Sequence, residues 1–465
     1  MESDFTKPTS LRARSPLRAA IGYVLMVTAA VGGFLLIRRQ GETLLAPAAH
    51  GAEPSLVTAP TPDIFLHVLV ALTAIIITGQ VLARLFARLG QPAVIGEVVA
   101  GILLGPSLLG PQLSALILPP SVGPYLGLIA QLGVVLYMFL VGLELNPARL
   151  RDRTHATIAT SHASILVPFM LGALLALLLY PQLSDRSVPF TSFALFLGVA
   201  MSITAFPVLA RILTDYGLTR THLGVIALSC AAVDDVTAWC LLAFVVGVAK
   251  AQVGQGLFVI VGALIFIALI LLVARPALRW VALRWETQQP SVGLMTVVFV
   301  ALLLSALMAE AIGIHAIFGA FLLGVVVPHD SALARAFTQQ LQHLVSILLL
   351  PAFFAFTGMR TRVDLLSAPA LWLLCGLIIL TAIAGKFGGT LVAARLTGLR
   401  WREAALLGAL MNTRGLMELI VLNVGLELGV ISSTLFAMMV LMALVTTMLT
   451  SPVLRILKLQ TMAEQ

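Results

Sequence analysis

The chain of 465 residues is 60% hydrophobic and only 10% charged, whereas an average soluble domain is roughly 45–50% apolar and about 25% charged. These proportions exclude a soluble globular protein, because too little polar surface would remain to cover the apolar core. The formal net charge of +8 is therefore interpreted through membrane topology, and nucleic acid is not an expected partner.

Apolar segments long enough to cross a bilayer recur along the chain, which predicts an all-α polytopic membrane protein. Fourteen such segments are present, and the second to the fourteenth form a core set of thirteen transmembrane helices. The segments lie at residues 19–37, 63–87, 94–112, 122–144, 157–180, 191–213, 222–248, 256–275, 291–309, 312–328, 339–358, 368–394, 403–427 and 431–450.

The first segment, within an N-terminal region at residues 1–62, has two interpretations. Four basic residues precede an apolar run of 19 residues at 19–37, so the run resembles the start of a signal peptide. The apolar part of a signal peptide is roughly 7–15 residues long. The length therefore favours an extra N-terminal membrane helix or signal anchor, followed by an external linker at residues 40–61.

The basic residues of the loops predict the orientation. When the start of the second segment is placed outside, sixteen Lys and Arg residues fall on the cytoplasmic side. Only Arg186, Lys250, Arg360 and Arg362 fall outside. This bias follows the positive-inside rule, and it places a short tail at residues 453–465 in the cytoplasm.

Short stretches recur in the two halves of the chain. "AGILLG" (100–105) is similar to "GAFLLG" (319–324), and "FLVGLE" (139–144) is similar to "AFTGMR" (355–360). In each pair the second stretch lies seven predicted helices after the first. Because seven is odd, the second copy is inserted into the membrane upside down. Inverted repeats of this kind build secondary transporters, whose sites lie near the midplane between broken helices.

Two predicted helices contain an interruption at corresponding places in the repeats, at "SITAFP" (202–207) and "NTRG" (412–415). Pro207 lacks an N–H group and disfavours a helical residue before it, and Gly415 marks the second interruption. Each is also compatible with an ordinary kink of a membrane helix. Their matching positions favour crossed broken helices, whose free backbone groups meet at one point and, with a nearby carboxylate, form an oxygen site for a hard cation.

Few ionisable residues remain inside the predicted helices. Asp234 and Asp235 are adjacent in the middle of an apolar segment, Lys386 lies in another, and Arg414 and Glu418 lie four residues apart in a third. A charge at mid-bilayer costs about 2.5–3.5 kcal/mol on insertion scales, so these groups are expected to face one another or water. Both a transport site and ion pairs that only hold helices together are compatible with this pattern.

Five ordered stretches resemble the monovalent cation:proton antiporter-2 family, and the last is similar to its plant cation/proton exchanger branch and bacterial relatives. The resemblance covers roughly residues 63–452. The stretches are "QPAVIGEVVAGILLGPSLLG" (91–110), "VLYMFLVGLEL" (135–145), "CAAVDDVTAW" (230–239), "IHAIFGAFLLGVVVP" (314–328) and "MNTRGLMELIVLNVG" (411–425).

The resemblance implies thirteen helices in two inverted five-helix repeats, a homodimer, and exchange of Na⁺ or K⁺ for protons by alternating access without a cofactor. It also implies a dimerisation part that stays still, a core that moves and a linker helix between them. The dimerisation part would comprise residues 63–144 and 291–358, the core residues 157–248 and 368–450, and the linker helix residues 256–275.

Residue roles follow from the same resemblance. Asp235 would be the carboxylate that binds the transported cation or the proton. Asp234 is a second candidate for binding the cation or proton, and it would pair with Lys386. Arg414 and Glu418 are a candidate structural ion pair. The residues that would add binding oxygens from the two broken helices are Thr204, Asn412 and Thr413.

Competition of a proton and a metal ion for one carboxylate enforces exchange, so low pH should inhibit transport and high pH should activate it.

The protein is thus expected to be a transporter, not an enzyme, in a bacterial inner (plasma) membrane. A cation channel or sensor module on the same fold is the alternative. An intramembrane aspartic protease is disfavoured, because neighbouring residues of a helix point about 100° apart and their carboxyl groups do not converge. The sequence does not separate Na⁺ from K⁺.

Overall fold

The computed structural model describes residues 16–44, 64–144, 155–215, 218, 221–250, 256–284, 291–329 and 331–462. Every regular element within these ranges is helical, which confirms the predicted all-α class. The α-helices in chain order are α1 (Pro16–Gly41), α2 (Ile64–Arg88), α3 (Ala93–Leu104), α4 (Pro111–Ile117), α5 (Gly123–Glu144), α6 (His155–Leu183), α7 (Phe190–Ser202), α8 (Phe206–Asp215), α9 (His222–Lys250), α10 (Gly256–Leu269), α11 (Arg275–Arg284), α12 (Val292–Ile312), α13 (Ala316–Val326), α14 (Ala332–Leu344), α15 (Leu350–Arg360), α16 (Pro369–Ile383), α17 (Gly389–Leu396), α18 (Trp401–Met411), α19 (Leu416–Glu427) and α20 (Ser433–Met462).

Three pairs of these helices are continuous through a π-helical turn of five residues. The turns are Ile270–Ala274 between α10 and α11, Val345–Leu349 between α14 and α15, and Ala384–Gly388 between α16 and α17. The predicted linker helix therefore does not end at residue 275 but continues to Arg284. A π-helical turn inserts one extra residue into the α-helical repeat and is frequent at functional sites.

Nine helices in the described ranges are long and apolar enough to cross a membrane. Shorter apolar helices, among them α3, α7 and α13, account for further predicted segments. The protein is therefore a multi-pass membrane protein, and the count of thirteen core helices stays a prediction. Other predicted ends also differ from the structure: α3 stops at Leu104 because Gly105 and Pro106 follow it, α14 begins at Ala332 and not at residue 339, and α20 extends to Met462 through most of the predicted tail.

The first apolar segment forms α1, which is longer than the predicted run and packs against α6 and α7. The rings of Phe34 and Phe169 lie 6.0 Å apart, and the Thr191 hydroxyl donates a hydrogen bond to Glu42 Oε1 at 3.3 Å. These contacts favour the interpretation as an additional membrane helix. Most of the predicted linker lies outside the described residues.

The glycines of the recurring stretches lie where the two halves of the chain touch. A Cβ atom on Gly101 of α3 would lie 2.5 Å from a backbone oxygen of α15, and one on Gly358 of α15 would lie 2.5 Å from a backbone oxygen of α3. Gly142 of α5 and Gly324 of α13 are equally close to each other's helix. Because α3 and α5 belong to the first predicted copy and α13 and α15 to the second, the two copies are in close contact at both places. The number of helices in each repeat stays a prediction.

We expect Gly358→Leu to destabilise the protein by about 1–3 kcal/mol or more, because the new side chain would meet backbone atoms of α3, which cannot move away. Gly376→Leu is the matched control, since a Cβ atom on Gly376 of α16 would meet nothing within 4 Å. Thermal unfolding of both variants in the same detergent measures the difference. Equal melting temperatures would show that the α3–α15 contact is not close-packed.

Candidate ion-binding site

The chain between α7 and α8 contacts the chain between α18 and α19. The Ala205 backbone N–H donates to the Thr413 carbonyl oxygen at 3.0 Å, and the Thr204 hydroxyl lies 3.2 Å from the Met411 carbonyl oxygen. Pro207 lies in the first turn of α8, where a missing N–H group has no helical partner to lose. The predicted crossing of two broken helices is therefore present, and it brings the two copies of the repeat together.

Asp234 of α9 lies beside this crossing and is fully buried. Its Oδ1 atom accepts a hydrogen bond from the Ser161 hydroxyl at 2.6 Å. Its Oδ2 atom lies 2.8 Å from the Ser164 hydroxyl, 2.9 Å from the Thr204 hydroxyl and 3.0 Å from Lys386 Nζ. Four donor groups from three other parts of the chain thus surround one carboxylate.

Lys386 is equally buried, and it uses all three of its N–H groups. Its Nζ atom donates to the Ser164 carbonyl oxygen at 3.0 Å, to the Ser202 carbonyl oxygen at 2.5 Å and to Asp234 Oδ2 at 3.0 Å. An ammonium group has three donors and no acceptor. The predicted pair of Asp234 and Lys386 is therefore present, and two backbone carbonyl groups complete it.

Both carbonyl groups are available because the local helices leave them without a partner. Pro168 lies inside α6, four residues after Ser164, and it has no N–H group to bond the Ser164 carbonyl oxygen. Ser202 is the last residue of α7, where carbonyl groups have no intrahelical partner. Lys386 itself lies in the π-helical turn, in which a Cβ atom on Gly385 would lie 2.8 Å from Pro168 Cα.

Arg414 satisfies two more carbonyl groups at the end of α7. Its side chain donates to the Ala200 carbonyl oxygen at 3.0 Å and to the Met201 carbonyl oxygen at 2.7 Å. It also contacts Glu418 Oε2 at 2.7 Å, and both partners are fully buried. The C-terminal end of α7, which carries partial negative charge, therefore faces two cationic side chains, Lys386 and Arg414. The predicted Arg414–Glu418 pair is present and caps a helix end.

The second break, between α18 and α19, contains side-chain oxygen atoms that make no such hydrogen bonds. The Asn412 and Thr413 side chains are 6% and 0% exposed, and neither Asn412 Oδ1 nor Thr413 Oγ1 has a hydrogen-bond partner among the described residues. A buried polar atom without a partner is uncommon and needs an explanation, such as an ion or a water molecule. Asp235 lies in α9 next to Asp234, and its side chain is outside the described residues.

A family model described as the transmembrane domain of the sodium/hydrogen exchanger matches residues 68–458. The chain belongs to the sodium/hydrogen exchanger family. The chain is 45% identical over 393 residues to the Na(+)/H(+) antiporter NhaS4 of Synechocystis, a match that covers 83% of this chain and 96% of that protein. It is 40% identical over 401 residues to Cation/H(+) antiporter 20 of Arabidopsis thaliana, which covers 83% of this chain but 48% of the plant protein.

A solved structure supports the fold of this exchanger. The structure of the sodium proton antiporter MjNhaP1 from Methanocaldococcus jannaschii superposes with a TM-score of 0.59, over 83% of this chain and 95% of that chain. The two sequences are 15% identical over this region, so the similarity concerns the arrangement of the helices. The family expected from the five sequence stretches is confirmed.

Several groups that hold the charged centre of the exchanger were not predicted from its sequence. Ser161 and Ser164 of α6 contact Asp234, and the Thr447 hydroxyl of α20 accepts a hydrogen bond from the Arg414 backbone N–H at 3.1 Å. Pro168 was the available signal, because an internal proline always leaves the carbonyl group four residues earlier without its usual donor. The hydroxyl groups gave no signal, since Ser and Thr are common in membrane helices and bond to their own backbone.

We expect Lys386→Ala to cost about 3–5 kcal/mol of stability, because it leaves the Asp234 carboxylate buried and uncompensated. The loss should be smaller in an Asp234→Asn background, since the two residues act as a unit. Thermal unfolding of the two single variants and the double variant measures this coupling.

The matched control is the exposed pair of Arg362 and Asp364, whose charged atoms are 2.7 Å apart and whose side chains are 45% and 40% exposed. Breaking it with Arg362→Ala should cost about 0–1 kcal/mol. Additive losses for Lys386 and Asp234 would contradict the interpretation of the two residues as one charged unit.

Proposed function

We propose that this protein is a secondary active antiporter that exchanges a monovalent cation, Na⁺ or K⁺, for protons across the membrane. The observation that carries the proposal is the crossing of two broken helices. Unpaired buried oxygen atoms of the second break lie beside the first break, whose Thr204 contacts the Asp234 carboxylate. Membership of the sodium/hydrogen exchanger family supports it, as does the identity with a named Na(+)/H(+) antiporter over most of both chains. The protein is a transporter in this view, and a plasma membrane is the proposed location.

Within the site we assign the ion to Asp235 and to the oxygen atoms of the second break. Asn412 Oδ1 and Thr413 Oγ1 are uncommitted, and hard cations take oxygen ligands of this kind. Thr204 and Asp234 were candidates for ion binding too, but each is committed to the hydrogen bonds around Lys386. Their role is therefore to hold the crossing and its charges in place.

Exchange follows when one carboxylate holds either a proton or a cation. A carboxylate that must be occupied before the core moves transports one ion in each direction and does not leak. Protons then compete with the cation, so acidification should inhibit uptake of the cation and alkaline conditions should increase it.

We expect Asp235→Asn to abolish exchange, because the amide keeps the shape of the side chain but does not take up a proton at physiological pH and has no negative charge to neutralise a cation. Purified protein in liposomes with an imposed pH gradient, tested with Na⁺ and then K⁺, measures the exchange. Asp364→Asn, on the external side, is the control for removal of an acidic residue.

Exchange at the normal rate by a correctly folded Asp235→Asn variant would show that another group carries the ion. The same vesicles test the alternative function. A channel would let the cation flow down its own gradient without moving protons, whereas an antiporter would move protons in the opposite direction and so build up a pH gradient.

We also propose that the predicted dimerisation part and core move relative to each other, and that α15 and α19 close the external side in this conformation. Asn423 Nδ2 donates to Thr357 Oγ1 at 2.7 Å. Arg360 Nη1 lies 3.3 Å from Asn423 Oδ1 and 3.4 Å from Glu427 Oε1. The loop charges place these residues in the external half of the membrane. The contact between protomers of the proposed homodimer would lie on the dimerisation part.

A crosslink across this contact should stop transport, because the two parts could no longer separate. We would introduce Thr357→Cys and Asn423→Cys after replacing the natural cysteines, Cys230, Cys240 and Cys375, by alanine. A short thiol-specific crosslinker should block exchange in the pair, and a reductant that cleaves the crosslinker should restore it.

The variant with Thr357→Cys alone, treated with the same reagent, controls for modification without a crosslink. Mass spectrometry gives the crosslinked fraction. Undiminished exchange by a fully crosslinked sample would contradict movement between α15 and α19.

A further inference from the structure

We infer that α1 belongs to the proposed core and travels with α6 and α7 during each transport cycle. The inference rests on the proposed movement of the core against the dimerisation part. It gives a place in that movement to a helix outside the family model, which begins at residue 68, whereas α1 ends at Gly41. The packing around α1 decides to which of the two parts it belongs.

Within the described residues, α1 packs against two helices, and both belong to the proposed core. It lies along α6 and reaches the start of α7, and no comparable contact joins it to the described helices of the dimerisation part. Lys386 binds carbonyl groups of both α6 and α7, so these two helices are held together at the charged centre. A helix that packs against this pair alone shares the movement of the pair.

One face of α1 is covered along most of the helix. The covered residues alternate at spacings of three and four, which is the pattern of a helix that packs along one side. They are Val27, Ala30, Phe34, Ile37 and Gly41. The side chains of the opposite face are exposed, with Leu25 at 64% and Leu36 at 69%, as expected of a side that faces lipid. The burial pattern therefore shows which side of α1 is seated on the core.

The middle of α1 is closely packed against α6. The rings of Phe34 and Phe169 lie 6.0 Å apart, and a Cβ atom on Gly33 would lie 2.9 Å from Met170 Cε. Phe169 packs against α7 as well, because a Cβ atom on Gly198 would lie 2.9 Å from Phe169 Cδ2. The Phe169 ring is thus held between α1 and α7. Sliding of α1 along the core would have to break these contacts, and tightly packed interiors resist such a change.

The ends of α1 and α7 are joined at one level. A Cβ atom on Gly41 would overlap the ring of Phe190, the first residue of α7. Glu42 Oε1 accepts hydrogen bonds from Arg38 Nε at 2.7 Å and from the Thr191 hydroxyl at 3.3 Å. A carboxylate beside the first turn of a helix is also favoured by the helix dipole. The loop charges place the start of α7 outside, so the C-terminal end of α1 lies on the external side too.

The chain that follows α1 is long enough to let α1 and α2 move apart. Residues 45–63 separate Leu44 from Ile64, the first residue of α2. An extended chain spans at most about 3.3–3.6 Å per residue, so this segment can reach about 60 Å. The covalent connection to α2 therefore does not hold α1 against the dimerisation part, and the noncovalent contacts with α6 and α7 decide its movement.

The test is a crosslink between α1 and α7 in the full-length protein with its natural cysteines replaced by alanine. Glu42→Cys and Thr191→Cys place two thiols at the external end of the contact, where the short crosslinker used for α15 and α19 can join them. Exchange in liposomes should continue at the rate of the untreated pair, because α1 and α7 move together. Thr357→Cys with Asn423→Cys, treated in the same way, is the matched control in which exchange should stop.

A second pair of cysteines repeats the test without removing the hydrogen bonds of Glu42. Gly33→Cys with Met170→Cys joins α1 to α6 in the middle of the contact, and exchange should again continue after crosslinking. This pair decides the matter if the first pair does not fold.

Loss of exchange in a sample crosslinked between α1 and the core, restored by the reductant, would overturn the inference and leave the antiport function intact. Crosslinks that join two protomers, seen as a dimer on a denaturing gel, would also overturn it, because α1 would then belong to the core of the partner. Continued exchange in the crosslinked α15–α19 control would overturn the proposed movement and the inference with it. Failure of the untreated protein to exchange either cation would overturn the proposed function itself.

Discussion

The contact on which the centre of this molecule depends is the capture of one ammonium group by two backbone carbonyl groups and one carboxylate. Lys386 reaches α6 through the Ser164 carbonyl, α7 through the Ser202 carbonyl and α9 through Asp234. A single buried side chain thus joins three helices whose contact residues lie 152 to 222 residues before it in the sequence. An unpaired ammonium in the same place would be costly. The charge of Lys386 is compensated only when the three helices pack around it, so helix packing and charge compensation depend on each other.

Helix ends, and not side chains alone, provide the polar groups that surround the buried charges. In a membrane the backbone must satisfy its own hydrogen bonds, and the break after Ser202 leaves several carbonyl groups of α7 without partners. Lys386 and Arg414 supply the missing donors. The two cations therefore stabilise the broken helix, and the broken helix makes their burial tolerable. The second break differs, because Asn412 and Thr413 retain buried oxygen atoms without partners among the described residues, and for this reason we propose that side of the crossing for the ion.

The same structure explains how a rigid charged centre is compatible with transport. The groups around Asp234 and Lys386 all belong to helices of the proposed core, so they can move as one body with the ion. The polar contacts between α15 and α19 connect the proposed core to the proposed dimerisation part, and two of their side chains, Arg360 and Glu427, are partly exposed. In the proposed mechanism, alternating access needs stronger pairing inside the moving part than at its boundary.

The sequence by itself determined the membrane class, the family, the positions of both helix breaks and the residues of both buried ion pairs. These properties depend on the hydrophobicity of short segments and on residue types at single positions, and both can be read directly from the sequence. The tertiary structure alone decided which groups complete the pairs. The Ser164 and Ser202 carbonyls are 222 and 184 residues from Lys386, and every residue has a carbonyl group, so no side-chain type marks these two. Their selection depends on the rotation and depth of packed helices, including the π-helical turn that turns Lys386 toward α6, and hydrophobicity does not encode such positions.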